Sequence, residues 1–353
     1  MKAILLAGGK GTRLRPLTIH TPKPIVPIFN RPFLHYQLDL LKQVPEIDEV
    51  ILSLNYQPRR IEEMFGDGSD IGLGVRYIVE PAPLGTAGAV RYAGESLNES
   101  VVVLNGDVLT QIDLAEVIAL HRERQAKATI VLTPVDNPAA YGLVETDAQG
   151  NIRRFLEKPT ADEITCDTIN AGIYVIEPDT FDRIPKDTPW SIERSFFPSL
   201  IERGETFIAH VSRGYWIDIG TPEKYMQVHW DIMDGRYVAA PFAYAAKTAW
   251  VAPSARIEEG AVVEGPCFLD EGVIVKTGAH IAPYSVIGRQ CHIEEYASVD
   301  RAIVWANSRV SQEATVRRSI IGRHCHIGRS ATVDNGVVLG DKSVVTDYSR
   351  LCQ

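Results

Sequence analysis

The chain has 353 residues, 45% of them hydrophobic, which is enough for two folded units with real cores and argues against disorder. Its formal charge of −9 excludes a broad basic face, so neither nucleic acid nor a membrane surface is expected as a partner. The acidic excess lies in the first 244 residues, with 24 Lys and Arg against 33 Asp and Glu; the remainder carries 12 of each.

The N-terminal apolar run Ala3 to Ala7 is only five residues long, too short for a signal-peptide core or a membrane span, so a cytoplasmic location is expected. Short β-branched runs then alternate with helical patterns: KAILLA, PFLHYQLDLLKQ, VILSLN, PRRIEEMF, VRYIVE, TAGAVRYAG and VVVLNGD. Such alternation reads as βαβ units feeding a parallel sheet. Asp113 and Glu116 mark a helix start for LAEVIALHRER. The stretches ATIVLTPV, YGLVETD, IRRFLEKP and INAGIYVIEP read as strands joined by turns, which adds antiparallel members. Thr221 and Pro222 open a last helix that Gly235 closes. The expected fold is therefore α/β, a Rossmann-like, mostly parallel mixed sheet over residues 1–235, with 236–250 as a linker.

From residue 251 the period changes to six. Aliphatic residues stand at Val251, Ile257, Val263, Leu269, Val275, Ile281, Ile287, Ile293 and Val299; five-residue steps then lead to Val304, Val310, Val316 and to Ile321, Ile327, Val333, Leu339, Val345. A small residue follows most of them four positions later. One such repeat cannot bury its own apolar side chain, so stacked coils with a continuous aliphatic core are predicted over 251–353. The pattern resembles the hexapeptide left-handed β-helix, and its long flat faces predict a homo-oligomer formed through this domain. The five cysteines (Cys166, Cys267, Cys291, Cys325, Cys352) form no CxxC pair and read as reduced structural thiols.

The chemistry concentrates in LLAGGKGTRLRPLT, Leu5 to Thr18, a strand running into a glycine-rich turn. Glycines let backbone N–H groups approach phosphate, and Lys10, Arg13, Arg15 and Lys23 place cations there inside an acidic region. A Walker loop needs a glycine separated from its GK pair by four residues, and the dinucleotide fingerprint needs one where Arg13 or Leu14 stands. Neither fits.

In this loop, and in PKPIVPIFNRP, EPAPLGTAGAV, VVVLNGD, FLEKP, INAGIYV and YWIDIGTPEKY in that order, the chain resembles the sugar nucleotidyltransferases. Within that family it is most similar to the mannose-1-phosphate guanylyltransferases. The resemblance implies transfer of a nucleotidyl group from a triphosphate, with GTP favoured, to a sugar 1-phosphate, with Mg²⁺ held by Asp107 and Asp218. It also implies that Leu6, Gly8, Gly9, Gly11, Thr12, Glu80, Gly85 and Thr86 hold the nucleotide. Arg13 and Lys23 would face the triphosphate, a guanidinium forking onto two oxygens and an ammonium acting as a point charge. Lys158, Glu157, Asn170 and Gly142 would hold the sugar phosphate. The reaction needs no general base, because a sugar phosphate with a second pKa of about 6 arrives deprotonated near neutral pH.

Guanine is favoured because the Glu80 carboxylate can accept from two adjacent donors on that base. Other readings remain open at this stage. They are thymidylyl or other nucleotidyl transfer to glucose or heptose 1-phosphate, a non-catalytic nucleotide-sugar-binding regulatory subunit, and an acyltransferase built on His280, His292, His324 and His326. The loop cations and both aspartates are present, which weighs against a non-catalytic subunit.

Overall fold

The computed structural model describes residues 1–157, 160–243 and 245–352. Its backbone contacts divide the chain into two compact units, Met1–Lys10 with Leu34–Trp216, and Gly11–Phe33 with Ile217–Gln353.

The first unit holds β1 (Lys2–Leu6), α1 (Phe33–Lys42), β2 (Glu49–Leu54), α2 (Pro58–Phe65), β3 (Gly74–Val79), α3 (Gly85–Ala93), β4 (Val101–Asn105), α4 (Leu114–Glu123), β5 (Ala128–Pro134), β6 (Gly142–Thr146), β7 (Ile152–Glu157), β8 (Thr168–Ile176), α5 (Phe197–Glu202) and β9 (Phe207–Val211). The strands form one nine-stranded sheet in the order β7-β6-β8-β4-β1-β2-β3, with β5 pairing β8 and β9. β1 runs parallel to both β2 and β4, with Ile4 opposite Ile51 and Val103. β8 is antiparallel to β4 and β5, and β6 to β7. The mixed sheet is thus the one the sequence predicts. Central strands buried on both faces are apolar, which is why AILL and VVVL read as unbroken hydrophobic runs and VILSL is interrupted only by Ser53, whose hydroxyl is hydrogen-bonded. Asp113 caps α4, its carboxylate accepting from the Ala115 and Glu116 amides.

The second unit contains α6 (Pro222–Met233) and the solenoid, whose strands form three six-stranded parallel sheets. Val251, Leu269, Ile287, Val304, Ile321 and Leu339 stack one above another on the first sheet. The five-residue steps shorten the two coils between Ile287, Val304 and Ile321 without breaking the stack. Every predicted aliphatic from Leu269 to Val333 is buried in one continuous cluster. At the first coil the rule weakens, and Ile257 is 43% exposed because no coil precedes it. Cys267, Cys291 and Cys325 fill small positions of this core; burial pushes the Cys267 and Cys291 thiols up to about 12, so they are not reactive thiolates. The outward positions differ by face. The second sheet shows Arg256, His292, Arg309 and His326 outward, whereas the first shows Phe268, Val286, Ile303 and Ile320, all buried.

The segment Gly11–Phe33 lies along that apolar face of its own unit, running down the stack. An added Cβ on Gly340 would stand 3.1 Å from the Pro16 side chain, and Arg323 donates to Thr21 Oγ1 at 2.6 Å. Trp305 donates through Nε1 to the Tyr225 hydroxyl, which in turn donates to the Pro27 carbonyl. Phe29 packs on Phe268 and Phe242, and Asn30 reaches Asp270. His229 on α6 accepts from the Phe29 amide through Nε2, and its other ring nitrogen faces the Tyr225 carbonyl. Burial pushes His229 down to about 4, so this ring acts as a neutral bridge.

This core makes a discriminating prediction. Ile293→Ala, at a fully buried position, should destabilise the solenoid by about 2–5 kcal/mol, whereas His292→Ala next to it, pointing outward, should change stability by about 0.5 kcal/mol or less. Denaturant melts giving equal losses for both would refute the inward and outward assignment.

Candidate active site

In the second unit the loop and the segment leading into α6 bring three polar groups together, Arg13, Asp218 and Lys224. Gly11 (φ 60°) caps the short turn Thr12–Leu14, and Thr18 fixes that bend by donating to the Gly11 carbonyl at 2.7 Å. This places Arg13. Lys23 opens a second turn, Lys23–Ile25, between Pro22 and Pro24, and is buried. Asp218 is also buried, with Lys224 Nζ paired to its Oδ1. Between them lies Gly220: an added Cβ there would sit 2.8 Å from Arg13 Nη2 and 2.8 Å from Asp218 Oδ2. Arg13, Gly220, Asp218 and Lys224 are thus one cluster, a carboxylate flanked by two cations. Sequence reasoning named Arg13 and Asp218 but missed Lys224 and Gly220. Their only signal was their place in YWIDIGTPEKY, where Thr221 caps the helix by accepting from the Lys224 amide.

The first unit gathers the other predicted residues. Leu6 ends β1, and Gly8 lies against Asn55 and Glu80, where an added Cβ would be 3.3 Å from Glu80 Oε1. Glu80 is buried and already engaged: Oε1 accepts from the Ser53 hydroxyl and Oε2 from the Leu84 amide, each at 3.0 Å. Gly85 needs its φ of 70° and its bare Cα, because a Cβ would strike the Trp190 carbonyl at 2.7 Å. Thr86 accepts from the Ile192 amide and donates to Glu193. The Ala87 and Gly88 amides of α3 bond the Trp190 carbonyl.

Asp107 follows Asn105 and Gly106 at the end of β4, and the Gly106 amide donates to Leu6 O at 2.9 Å, tying this turn to the glycine-rich loop. Three strands bring the sugar-side candidates side by side. Gly142 pairs with Glu157 across β6 and β7, and Leu143, next to Gly142, pairs with Ile169, next to Asn170. Asn170 braces its own strand, accepting from the Gly172 amide and donating to the Tyr174 hydroxyl. Gly172 (φ 76°) packs its bare Cα against the Asn105 side chain. Burial first, and the Glu193 charge second, push the Tyr174 phenol well above its usual range, so it stays neutral. Trp216 donates to the Ala171 carbonyl and meets Tyr141 edge-on, adding aromatic walls that the sequence reading did not single out. The Glu157 side chain and Lys158 lie outside the described residues.

Among the described residues no cluster of three or more His, Cys, Asp or Glu side chains could hold a metal, and no helix is long and apolar enough to cross a membrane. Zinc-type sites are thereby absent from those residues, whereas Mg²⁺ needs only one or two carboxylates plus substrate phosphates. Asp218 is a carboxylate of that kind, with Lys224 on Oδ1 and Gly220 beside Oδ2.

The family model described as "Nucleotidyl transferase" matches residues 2–235, and that described as "GMPPB C-terminal domain" matches residues 263–353. The chain belongs to the nucleotidyl transferase family. It is 38% identical to a mannose-1-phosphate guanylyltransferase of Mycobacterium tuberculosis over 90% of this chain and 83% of that one. A UTP–glucose-1-phosphate uridylyltransferase of Synechocystis is 32% identical over 89% and 85% of the two chains. The solved structure of HddC from Yersinia pseudotuberculosis complexed with GMP-PN matches with a TM-score of 0.55 at 30% identity, covering 64% of this chain and 96% of that one. This family member is accordingly a nucleotidyltransferase enzyme, and a non-catalytic role is set aside.

The atoms that an alanine at position 220 would meet lie at the far ends of two side chains, Arg13 and Asp218, so they can move at little cost to folding. Gly220→Ala should therefore leave stability within about 1 kcal/mol of wild type, while pyrophosphate release falls about tenfold or more because Arg13 and Asp218 are displaced. A variant as active as wild type would show that this cluster does not hold the reacting groups.

Proposed function

We propose that this enzyme joins GTP to mannose 1-phosphate, giving GDP-mannose and pyrophosphate, with Mg²⁺ held by Asp107 and Asp218. The observation that carries the reading is the cluster in which Asp218 stands between Arg13 and Lys224 beside the bare Gly220. A sugar-phosphate oxygen attacks the α-phosphorus, the bond from that phosphorus to the bridging oxygen breaks, and pyrophosphate leaves with the bonding electrons. No proton needs to be removed. What this chain must supply is orientation and compensation of negative charge, which suits a site of fixed cations without a histidine base. Arg13 and Lys23 neutralise the triphosphate, and Lys158 with Asn170, Glu157 and Gly142 receives the sugar phosphate. Asp107 and Asp218 would hold Mg²⁺, which would supply charge neutralisation to the phosphates.

Mannose 1-phosphate and GTP are favoured by the likeness to the mycobacterial guanylyltransferase, and the similar coverage of a uridylyltransferase shows why overall identity does not fix the base. The buried Glu80 carboxylate beside Gly8 supports guanine, since each of its oxygens keeps a lone pair beyond those given to Ser53 and Leu84. Gly9, Gly11 and Thr12 present backbone amides to the phosphates, and Gly85 and Thr86 bound the base pocket. We also infer that copies of the chain associate through the solenoid, whose last coil exposes Val344, Tyr348 and Leu351.

Three measurements check these assignments. Asp107→Asn and Asp218→Asn should each lower Mg²⁺-dependent pyrophosphate release about a hundredfold or more while folding is retained; activity within a few-fold of wild type rejects the metal role. With mannose 1-phosphate held constant, kcat/KM should be higher for GTP than for dTTP or UTP, and Glu80→Gln should erode that ratio about tenfold, or about 1.4 kcal/mol. Equal slowing with every triphosphate would mean that Glu80 only braces its loop. In sizing experiments a Val344→Asp/Tyr348→Asp variant should run smaller than wild type, and a wild-type monomer would end the association proposal.

A further inference from the structure

The solenoid carries two residues that no step of the chemistry uses and that lie beneath the loop bearing Lys23. Trp305 is buried, and Arg323 lies over its indole ring at 4.7 Å with its Nη1 3.8 Å from Asp341. The Arg323 backbone amide also donates to Asp341, fixing the base of the side chain. Stacked, charge-paired and anchored in this way, the guanidinium loses little further freedom when it donates to Thr21 Oγ1.

Thr21 is buried and stands two residues before Lys23. The peptide between them passes through Pro22, and Pro24 follows, so both flanks of Lys23 have fixed φ and little slack. A shift at Thr21 is therefore passed on to Lys23 instead of being absorbed. The second tie is parallel: Trp305 donates to the Tyr225 hydroxyl, which donates to Pro27 O on the far side of the same turn. Tyr225 sits next to Lys224, the partner of Asp218. One stacked pair in the solenoid thus holds both the loop that carries Lys23 and the helix that carries Lys224.

We propose that Arg323 is a positioning residue for nucleotidyl transfer, fixing the Lys23 turn through Thr21 from a platform formed by Trp305. The proposal rests on the reading that Lys23 faces the triphosphate. It makes the solenoid a working part of the enzyme in each chain, independent of any association between chains.

The test uses the full chain and two readouts. In Arg323→Ala, hydrogen exchange at the Ile25 and Val26 amides, which close the Lys23 turn onto Pro22 O and Lys23 O, should accelerate about tenfold, with the solenoid amides of Ile303 and Ile287 unchanged. The kcat/KM for the triphosphate should fall about tenfold or more while KM for the sugar phosphate stays within about twofold. Thr21→Val should reproduce the loss, and the double variant should be no worse than either single one, because both remove the same tie. Unchanged exchange at Ile25 and Val26, a triphosphate kcat/KM within twofold of wild type, or losses that multiply in the double variant would each overturn the proposal. Absence of pyrophosphate release from wild type with every triphosphate would defeat the functional reading instead, and the exchange measurement would still decide whether Arg323 holds the turn.

Discussion

A short loop that keeps a lysine buried and an arginine in place cannot do so with its own hydrogen bonds alone. Between Gly11 and Phe33 the chain forms short turns, from Thr12 to Ile19 and at Lys23–Ile25, and a two-residue strand pair, Pro27–Ile28 with Arg31–Pro32. Burying Lys23 also costs solvation that a loose loop would recover by swinging the ammonium back into water. The structure meets both demands by laying the loop on a rigid apolar wall. That wall exists because an aliphatic residue every six positions forces coils to stack. One of the three resulting faces then keeps Phe268, Val286, Ile303 and Ile320 buried at its outward positions, where the others carry more polar residues, among them His280, His292, Arg309 and His326.

Much of this was legible in the sequence because it is periodic. The six-residue repeat set the solenoid's inward positions, and the five-residue steps were already visible as shortened coils. The switch from parallel to antiparallel strands could be read from helices giving way to turn-linked runs after residue 128. Motif order then led to the family and to Arg13, Asp107 and Asp218. What stayed hidden was pairing across distance. Nothing near Arg323 or Trp305 marks either as a support for Thr21 or Tyr225, because stacking and hydrogen bonding between residues far apart leave no period in one sequence.

Sequence position also says little about how a side chain is already employed. Glu80 reads as an available carboxylate on a loop, yet it braces that loop through Ser53 and the Leu84 amide. Asn170 likewise spends its amide on the bend at Gly172 and on Tyr174. Lys224 shows the converse: a lysine in the first turn of a helix looks like ordinary surface charge until Asp218 is seen beside it. In each case a residue's partners determine what it has left to offer a ligand.

The loop's line of attachment gives the solenoid a fixed measure. Contacts run from Gly340 and Arg323 through Trp305 to Asp270, one end of the loop to the other, across four coil-to-coil steps. At about 4.8 Å per step this is a span of roughly 19 Å. Repeat proteins commonly gain and lose units over evolution, since any coil can stack on any other. Here an extra coil between Asp270 and Gly340 would carry the loop's two ends out of register with their seats. Change in length is then accommodated only outside that interval, and the coils within it are held to a constant number by their contacts with the loop.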